Sequence, residues 1–336
     1  MSRSPLTTAI DQAVTYLADG LQASADRILA DAVWDFVRTP YKLDGSTNYL
    51  VHYTSVDVLF SLLSCPLRPD DCFALSFPNS PRAPANDDNF LRIYDTYNSN
   101  DPNEGRFFTS HEEPHPFSTK HPGLWSLLED RASLPAYIAS FRGVASLEDV
   151  DDLVFWRTYG YEGRGCALVF PVTFLADYPS VLKVQYGYDS VRYTLDRLCT
   201  AFNLIFSNDV LGQFVAHTNS STRSNIRSSL SPIPYLHKAD DYTFEQEVRV
   251  AVPFVDLSPG SLYCHRKHHP QYGTILRHFA TVRALRVRNI LRTDSVVVLG
   301  PSVRSRQNLR FVLRERLRNR GLVGTNVCVS RIGYRS

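Results

Sequence analysis

His237-Lys238-Ala239-Asp240-Asp241-Tyr242-Thr243-Phe244-Glu245-Gln246-Glu247-Val248-Arg249-Val250-Ala251-Val252-Pro253-Phe254 is the stretch on which the fold turns. From Phe244 to Phe254 the alternation predicts a strand, because successive side chains of a strand point to opposite faces. Phe244, Gln246, Val248, Val250 and Val252 fall on one face, and Glu245, Glu247, Arg249 and Ala251 on the other. Two carboxylates and a guanidinium therefore line one face over two pleats, beside an apolar run that implies half-burial. A pocket carboxylate that accepts a sugar hydroxyl stabilises a developing oxocarbenium ion, and a second one two residues away activates a nucleophile. Arg249 is placed either to neutralise one carboxylate or to hold a phosphate.

Working outward, other strands are predicted at Tyr49–Tyr53, Cys72–Phe77, Gly165–Phe170, Val181–Tyr186, Ser295–Leu299 and Asn326–Ser330. Helical spacing predicts a helix at Val56–Ser64, helical turns around 147–158, a mainly helical region over 190–230 and an amphipathic helix at Arg304–Arg320. Clustered strands with helices inserted between them argue α+β rather than a regular βαβ array. Upstream, Ser4-Pro5 is a helix cap and first-turn pair, and apolar positions recur helically to about Pro40. Residues 1–46 thus read as an N-terminal helical extension on a domain spanning 47–336. Residues 78–122, dense in Pro, Asn, Asp and His, read as one long loop of the functional or partly disordered kind.

Three more constellations carry chemistry. In Leu50-Val51-His52-Tyr53-Thr54-Ser55 a strand histidine adjoins helix-capping hydroxyls, an arrangement suited to a ribose hydroxyl and an amide, or to a satisfied core histidine. Asn100-Asp101-Pro102-Asn103-Glu104 reads either as a bare turn, with Asp101 holding its own backbone, or as a turn that fixes Asn100 and Glu104 at the mouth of a site, with Asn100 and Asp101 as candidate cofactor-binding residues. In Trp156-Arg157-Thr158-Tyr159-Gly160-Tyr161-Glu162-Gly163-Arg164-Gly165, either the glycines let a ligand approach with Trp156 or Tyr159 stacked on its ring, or the segment is a helix-to-strand turn. Cys264-His265-Arg266-Lys267-His268-His269 lacks a second Cys/His pair at zinc spacing, so no metal is expected.

Charge and absences bound the rest. Residues 1–276 carry 22 Lys+Arg against 32 Asp+Glu, whereas residues 277–336 carry 14 Arg against Asp294 and Glu315 alone. The net charge of +2 therefore averages a balance of −10 and one of +12. The basic segment includes strands and a helix, so its arginines are expected to cover the acidic body or hold an anionic ligand at its edge. A non-catalytic nucleic-acid or nucleotide-binding module using that segment, or a nucleic-acid-processing enzyme, is the alternative functional reading. No apolar run reaches the roughly 20 residues that span a bilayer. Residues 1–11 lack a signal-peptide pattern, and six scattered cysteines suit a cytoplasmic protein. No P-loop or Rossmann fingerprint is present.

An ordered set of motifs carries a resemblance. H-Y-T-S at 52–55, N-D-P-N-E at 100–104, W-R-x-Y-G at 156–160, G-x-G-x-A-L-V-F at 163–170 and H-K with E-x-E-x-R at 237–249 come first. V-V-V-L-G-P at 296–301 and V-x-V-S-R-I-G-Y-R at 327–335 complete the set. Together they are similar to the mostly bacterial domain-of-unknown-function family 2971, whose opening strand and E-x-E strand look like those of the ADP-ribosyltransferase superfamily. The resemblance implies a split β-sheet core and a cytoplasmic enzyme that takes NAD as substrate and modifies a macromolecule (protein, RNA or DNA), as toxins and anti-phage defence effectors do. It further implies that His52 orients the NAD ribose, Tyr53 or Thr54 the nicotinamide amide, and that Tyr159 stacks. Glu247 would then be the catalytic carboxylate and Glu245 the one that activates the target.

Overall fold

The computed structural model describes residues 4–63, 73–74, 91–95, 105–110, 115–129, 136–175, 181–217, 221–253, 262–269, 273–282 and 285–333. The strands are β1 Tyr49–Thr54, β2 Phe73–Ala74, β3 Ile93–Asp95, β4 Ala136–Val144, β5 Cys166–Pro171, β6 Val181–Lys183 and β7 Gln185–Tyr186. They continue with β8 His237–Lys238, β9 Glu247–Pro253, β10 Leu262–His269, β11 Gly273–Ala280, β12 Val296–Leu299 and β13 Asn326–Val329. The helices are α1 Pro5–Ala18, α2 Gln22–Val37, α3 Val56–Leu63, α4 Pro116–Lys120, α5 Pro122–Glu129 and α6 Leu153–Thr158. They end with α7 Gly187–Phe206, α8 Asp209–His217, α9 Ser221–Leu230, α10 Val287–Ile290 and α11 Arg306–Asn319. The chain is thus α+β, with a mostly antiparallel sheet.

Among the described residues eleven strands join in one sheet, in the order β13-β12-β5-β1-β4-β3-β11-β10-β2, with β9 paired to β4 and β6. Strand β4 is the junction. One edge takes β9 along residues 136–142; the other takes β1 at 142–144 and β3 at 137–138, so two wings diverge from it. Among the described residues only β12 with β13, and β7 with β8 in a separate two-stranded ladder, run parallel.

Two large cores are built around this sheet, with two smaller clusters beside them. On one face Leu50, Phe141, Leu168, Phe170, Val248 and Val250 pack under α3 and α11, through Leu59, Leu63, Leu313 and Leu317. The other core is helical: Leu29 and Val33 of α2 pack with Leu195, Leu198 and Phe202 of α7, and Leu6 and Ile10 of α1 join them. Ser4 caps α1, its hydroxyl accepting from the Thr7 N–H at 3.2 Å, and Pro5 fills the first turn. The N-terminal pair therefore shares its core with helices from the middle of the chain. Tyr41 ties this layer to the sheet: its hydroxyl lies 2.7 Å from both Thr194 Oγ1 and His237 Nε2.

Two expectations are corrected by these elements, the single loop over 78–122 and the start of the strand at Phe244. Residues 78–122 are not one loop, because β3, α4 and α5 fall in or beside them and Phe108 and Phe117 enter the helical core. Among the described residues, arginines of α11 reach backbone carbonyls and a ring. Arg310 and Arg320 donate to the carbonyls of Val327 (2.9 Å) and Leu63 (3.1 Å), and Arg316 lies over the Phe60 ring at 4.6 Å. The strand expected from Phe244 begins only at Glu247, for a backbone reason given below. No helix among the described residues is long and apolar enough to cross a membrane.

Candidate functional site

Residues Asp240–Glu245 form a 3-10 turn, and Gln246 then adopts a left-handed conformation (φ 47°, ψ 44°) before β9 starts. A non-glycine residue there is strained, so the hook persists only because its surroundings hold it. They do so through two backbone hydrogen bonds, Gln246 N–H to Thr243 O at 3.3 Å and Gly143 N–H to Gln246 O at 2.9 Å. The strand alternation predicted for Glu245 is therefore broken. The hook nevertheless aims both carboxylates at one ammonium group: Lys238 Nζ lies 2.6 Å from Glu245 Oε2 and 2.7 Å from Glu247 Oε2.

Around that bridge the two carboxylates differ. Glu247 is held by Arg249, with Nε to Oε1 at 2.7 Å and Nη2 to Oε2 at 3.1 Å, while Arg249 Nη1 donates to the Tyr235 carbonyl. The backbone N–H of Glu247 donates to Tyr186 Oη at 2.9 Å, because the parallel β7–β8 ladder sets Tyr186 opposite Lys238. Burial pushes the Glu247 carboxyl up, but Arg249 and Lys238 together hold it down at about 2. Lys238 is pulled down by burial, and the carboxylates, Glu247 foremost, more than offset this and leave it above its ordinary value. Glu245 is equally buried but held differently: its second oxygen accepts from the hydroxyl of Tyr159, a side chain that is 39% exposed. Burial, then the bond to Glu245, raises the Tyr159 hydroxyl far above the ordinary phenol range, so it acts as donor. Phe244 and Tyr242, both exposed, flank this opening, and the Lys238 ammonium lies 5.4 Å from the Tyr242 ring.

Sheet register decides which expected residues join this centre. His52 pairs with Leu168, and its ring touches Phe141, whose partner on β9 is Val248. Glu247 pairs with Arg142 and Arg249 with Ser140, one residue out of step. His52 therefore faces the apolar core, and Glu247 and Arg249 face the other way. Its Nδ1 sits 3.4 Å from the Ser140 carbonyl, and burial lowers its basicity. His52 is separated from the carboxylates it was expected to accompany.

Tyr53 lies on the carboxylate face but is committed elsewhere: its hydroxyl donates to the Val150 carbonyl at 2.7 Å and its ring packs on Trp156 and Phe155. Trp156 is fully buried with its Nε1 donating to Asp151 at 2.9 Å, so it stacks on protein rather than on a ligand. Thr54 is buried where β1 meets β5. The glycines of 160–165 serve backbone contact: a Cβ on Gly165 would lie 2.4 Å from the Thr54 carbonyl oxygen, and Gly163 and Gly165 carbonyls accept from Ser302 and Gly300. These contacts fit the helix-to-strand turn, the second of the two readings of this segment. Asn100 and Asp101, with Glu104, lie outside the described residues.

Thus Glu245, Glu247, Arg249 and Tyr159 assemble; His52, Tyr53, Thr54 and Trp156 do not join them. Lys238 and Tyr186 were missed as site residues. The H-K pair seven residues before Glu245 hinted at the first, whereas only the β7–β8 ladder reveals the second. Among the described residues no group of three or more His, Cys, Asp or Glu is placed to hold a metal ion. The Cys264–His269 segment forms β10, of which only the backbone is described. No family model matches the chain, and no curated protein or solved structure matches it either.

Proposed function

We propose that this chain is an ADP-ribosyltransferase-like enzyme that consumes NAD and modifies a macromolecule, with Glu245 as its reactive carboxylate. The observation that carries the reading is the unequal carboxylate pair. Glu247 is saturated by Arg249 and Lys238, while Glu245, equally buried, is shared between Lys238 and the hydroxyl of Tyr159, a side chain that is 39% exposed. The wings diverging at β4 and the motif resemblance support the same reading. Roles shift from those the motifs imply. Glu247 becomes the anchor of Lys238, Glu245 takes the catalytic part, and His52 has none.

The fit to NAD is partial and specific. A ribose hydroxyl displacing the Tyr159 hydroxyl finds a carboxylate acceptor in Glu245, and the Tyr159, Tyr242 and Phe244 rings offer faces for a planar heterocycle. The amide-holding role carried over to Tyr53 or Thr54 has no counterpart here. In the reaction the bond from ribose C1′ to the nicotinamide nitrogen breaks and nicotinamide leaves with the electron pair. Glu245 stabilises the positive charge left on the ribose. An acceptor nucleophile then bonds to C1′ and releases its proton to solvent.

The test is nicotinamide release from NAD in the presence of protein, RNA and DNA acceptors. Glu245→Gln is expected to lower the rate at least about 100-fold while the variant, checked by circular dichroism, stays folded. Absence of nicotinamide release with every acceptor, or full activity in Glu245→Gln, would overturn the reading.

A further inference from the structure

Helix α11 covers the sheet with its inner side, where Leu309, Leu313 and Leu317 meet the core and Arg310 and Arg320 reach backbone carbonyls. Its outer side presents a different surface. Gln307, Phe311, Arg314 and Arg318 recur at spacings of four, three and four residues, which puts them in one stripe, and Arg304 lies in the turn just before the left-handed Ser305 that opens the helix. All five are exposed. Phe311, at 67%, is the most exposed aromatic side chain among the described residues. Among those residues Arg304 and Arg314 have no ion-pair partner. Arg318 meets only Glu315, at 2.9 Å in a solvent-exposed pair of the kind that contributes little.

We propose that this stripe binds single-stranded nucleic acid, with Phe311 as the platform for one base and Arg304, Arg314 and Arg318 on the phosphates. Charge complementarity selects the partner: three guanidinium groups stand against one carboxylate, within a segment whose balance is +12. An isolated ring among arginines suits base stacking, which every nucleobase supports. A docking helix or a membrane surface requires a continuous apolar face, and the stripe has one apolar member. Arg314 and Arg318 are one turn apart, about 6 Å along the axis, comparable to the step between neighbouring phosphates of a strand. Gln307 also lines a cavity of about 390 Å³ with Arg306, Asn308 and Ser330, which leaves room for the strand beyond the start of the helix. A single strand is favoured over a duplex because stacking needs an unpaired base. Helix α11 packs on the sheet face opposite Glu247 and Arg249, so the inference stands whether or not the proposed catalysis does.

Fluorescence anisotropy of the full chain with a labelled single-stranded RNA or DNA oligonucleotide tests it, with the same sequence as a duplex and a polyglutamate peptide as competitors. The expected result is binding to the single strand that weakens with salt. The combined R304A, R314A and R318A variant should flatten the log–log salt slope by about 2, at about 0.7 per lost phosphate contact. Phe311→Ala should weaken binding about tenfold without changing that slope, and Phe311→Trp should retain it. Because Phe311 makes no core contact, its variants decide the matter even if the triple variant is unstable. No binding, equal affinity in Phe311→Ala, preference for the duplex, or equal displacement by polyglutamate would each overturn the proposal.

Discussion

The two faces of β9 are equally inaccessible and are built in opposite ways. On one, Val248, Val250 and Val252 lie in the main core, where each contact is interchangeable with its neighbours. On the other, Glu247 and Arg249 are buried to the same degree, and each polar atom depends on a particular partner. A dry face distributes its stability, whereas a charged one concentrates it, because a buried charge without its counterpart costs far more than a lost methyl contact. Just before the strand a second buried carboxylate, Glu245, is bonded by the partly exposed Tyr159, and chemistry is proposed there.

The largest expected effect tests this contrast directly. Arg249→Ala strands the Glu247 carboxylate and the Tyr235 carbonyl, and is expected to lower unfolding free energy by about 3–5 kcal/mol. Urea denaturation measures it; a loss below that of Val250→Ala on the opposite face would break the comparison. Next comes acid sensitivity. Glu247 is held at about 2 in the fold against an ordinary 4.5, so its contribution is full above about pH 4.5 and is lost as the pH falls towards 2. The size is about 3 kcal/mol, and the urea midpoint of Glu247→Gln should lose that pH dependence.

A smaller effect has the opposite sign. Gln246→Gly removes the left-handed strain of the hook and should raise stability by about 1 kcal/mol, provided the two backbone bonds of Gln246 persist. A lowered melting temperature would show that the Gln246 side chain contributes something beyond its backbone. The smallest change belongs to His52 on the apolar face. Burial lowers its basicity, so the unfolded chain binds the proton more readily and stability declines as the pH falls below about 6.5. His52→Phe should flatten the urea midpoint between pH 7 and 5 while leaving the acid transition of Glu247 in place.

Much of the fold is legible where one period dominates. Helices α1 and α2, strand β1 with α3, strand β5 and the run from β12 through α11 to β13 lie within a few residues of where apolar spacing and caps put them. Strand β4 is not legible, although every part of the sheet meets there. Ala136–Val144 pairs on both edges and is buried along most of both faces, so it shows no alternation. The β10–β11 hairpin hides for the opposite reason: His, Lys and Arg occupy most of Leu262–His269.

The site divides along the same line. The sequence by itself determined that two carboxylates, a lysine and an arginine would crowd into one short segment, since their spacing is covalent. It determined too that a +12 segment would contain a helix with arginines on all sides of a leucine stripe. Only the tertiary structure decided which groups meet. A one-residue difference in sheet register sends His52 to the core and Glu247 to the opposite face, and no local pattern encodes that offset between strands distant in sequence. A single left-handed residue, Gln246, turns an expected pleat into a hook, because hydrogen bonds to Gly143 and Thr243 hold a conformation that its own side chain disfavours.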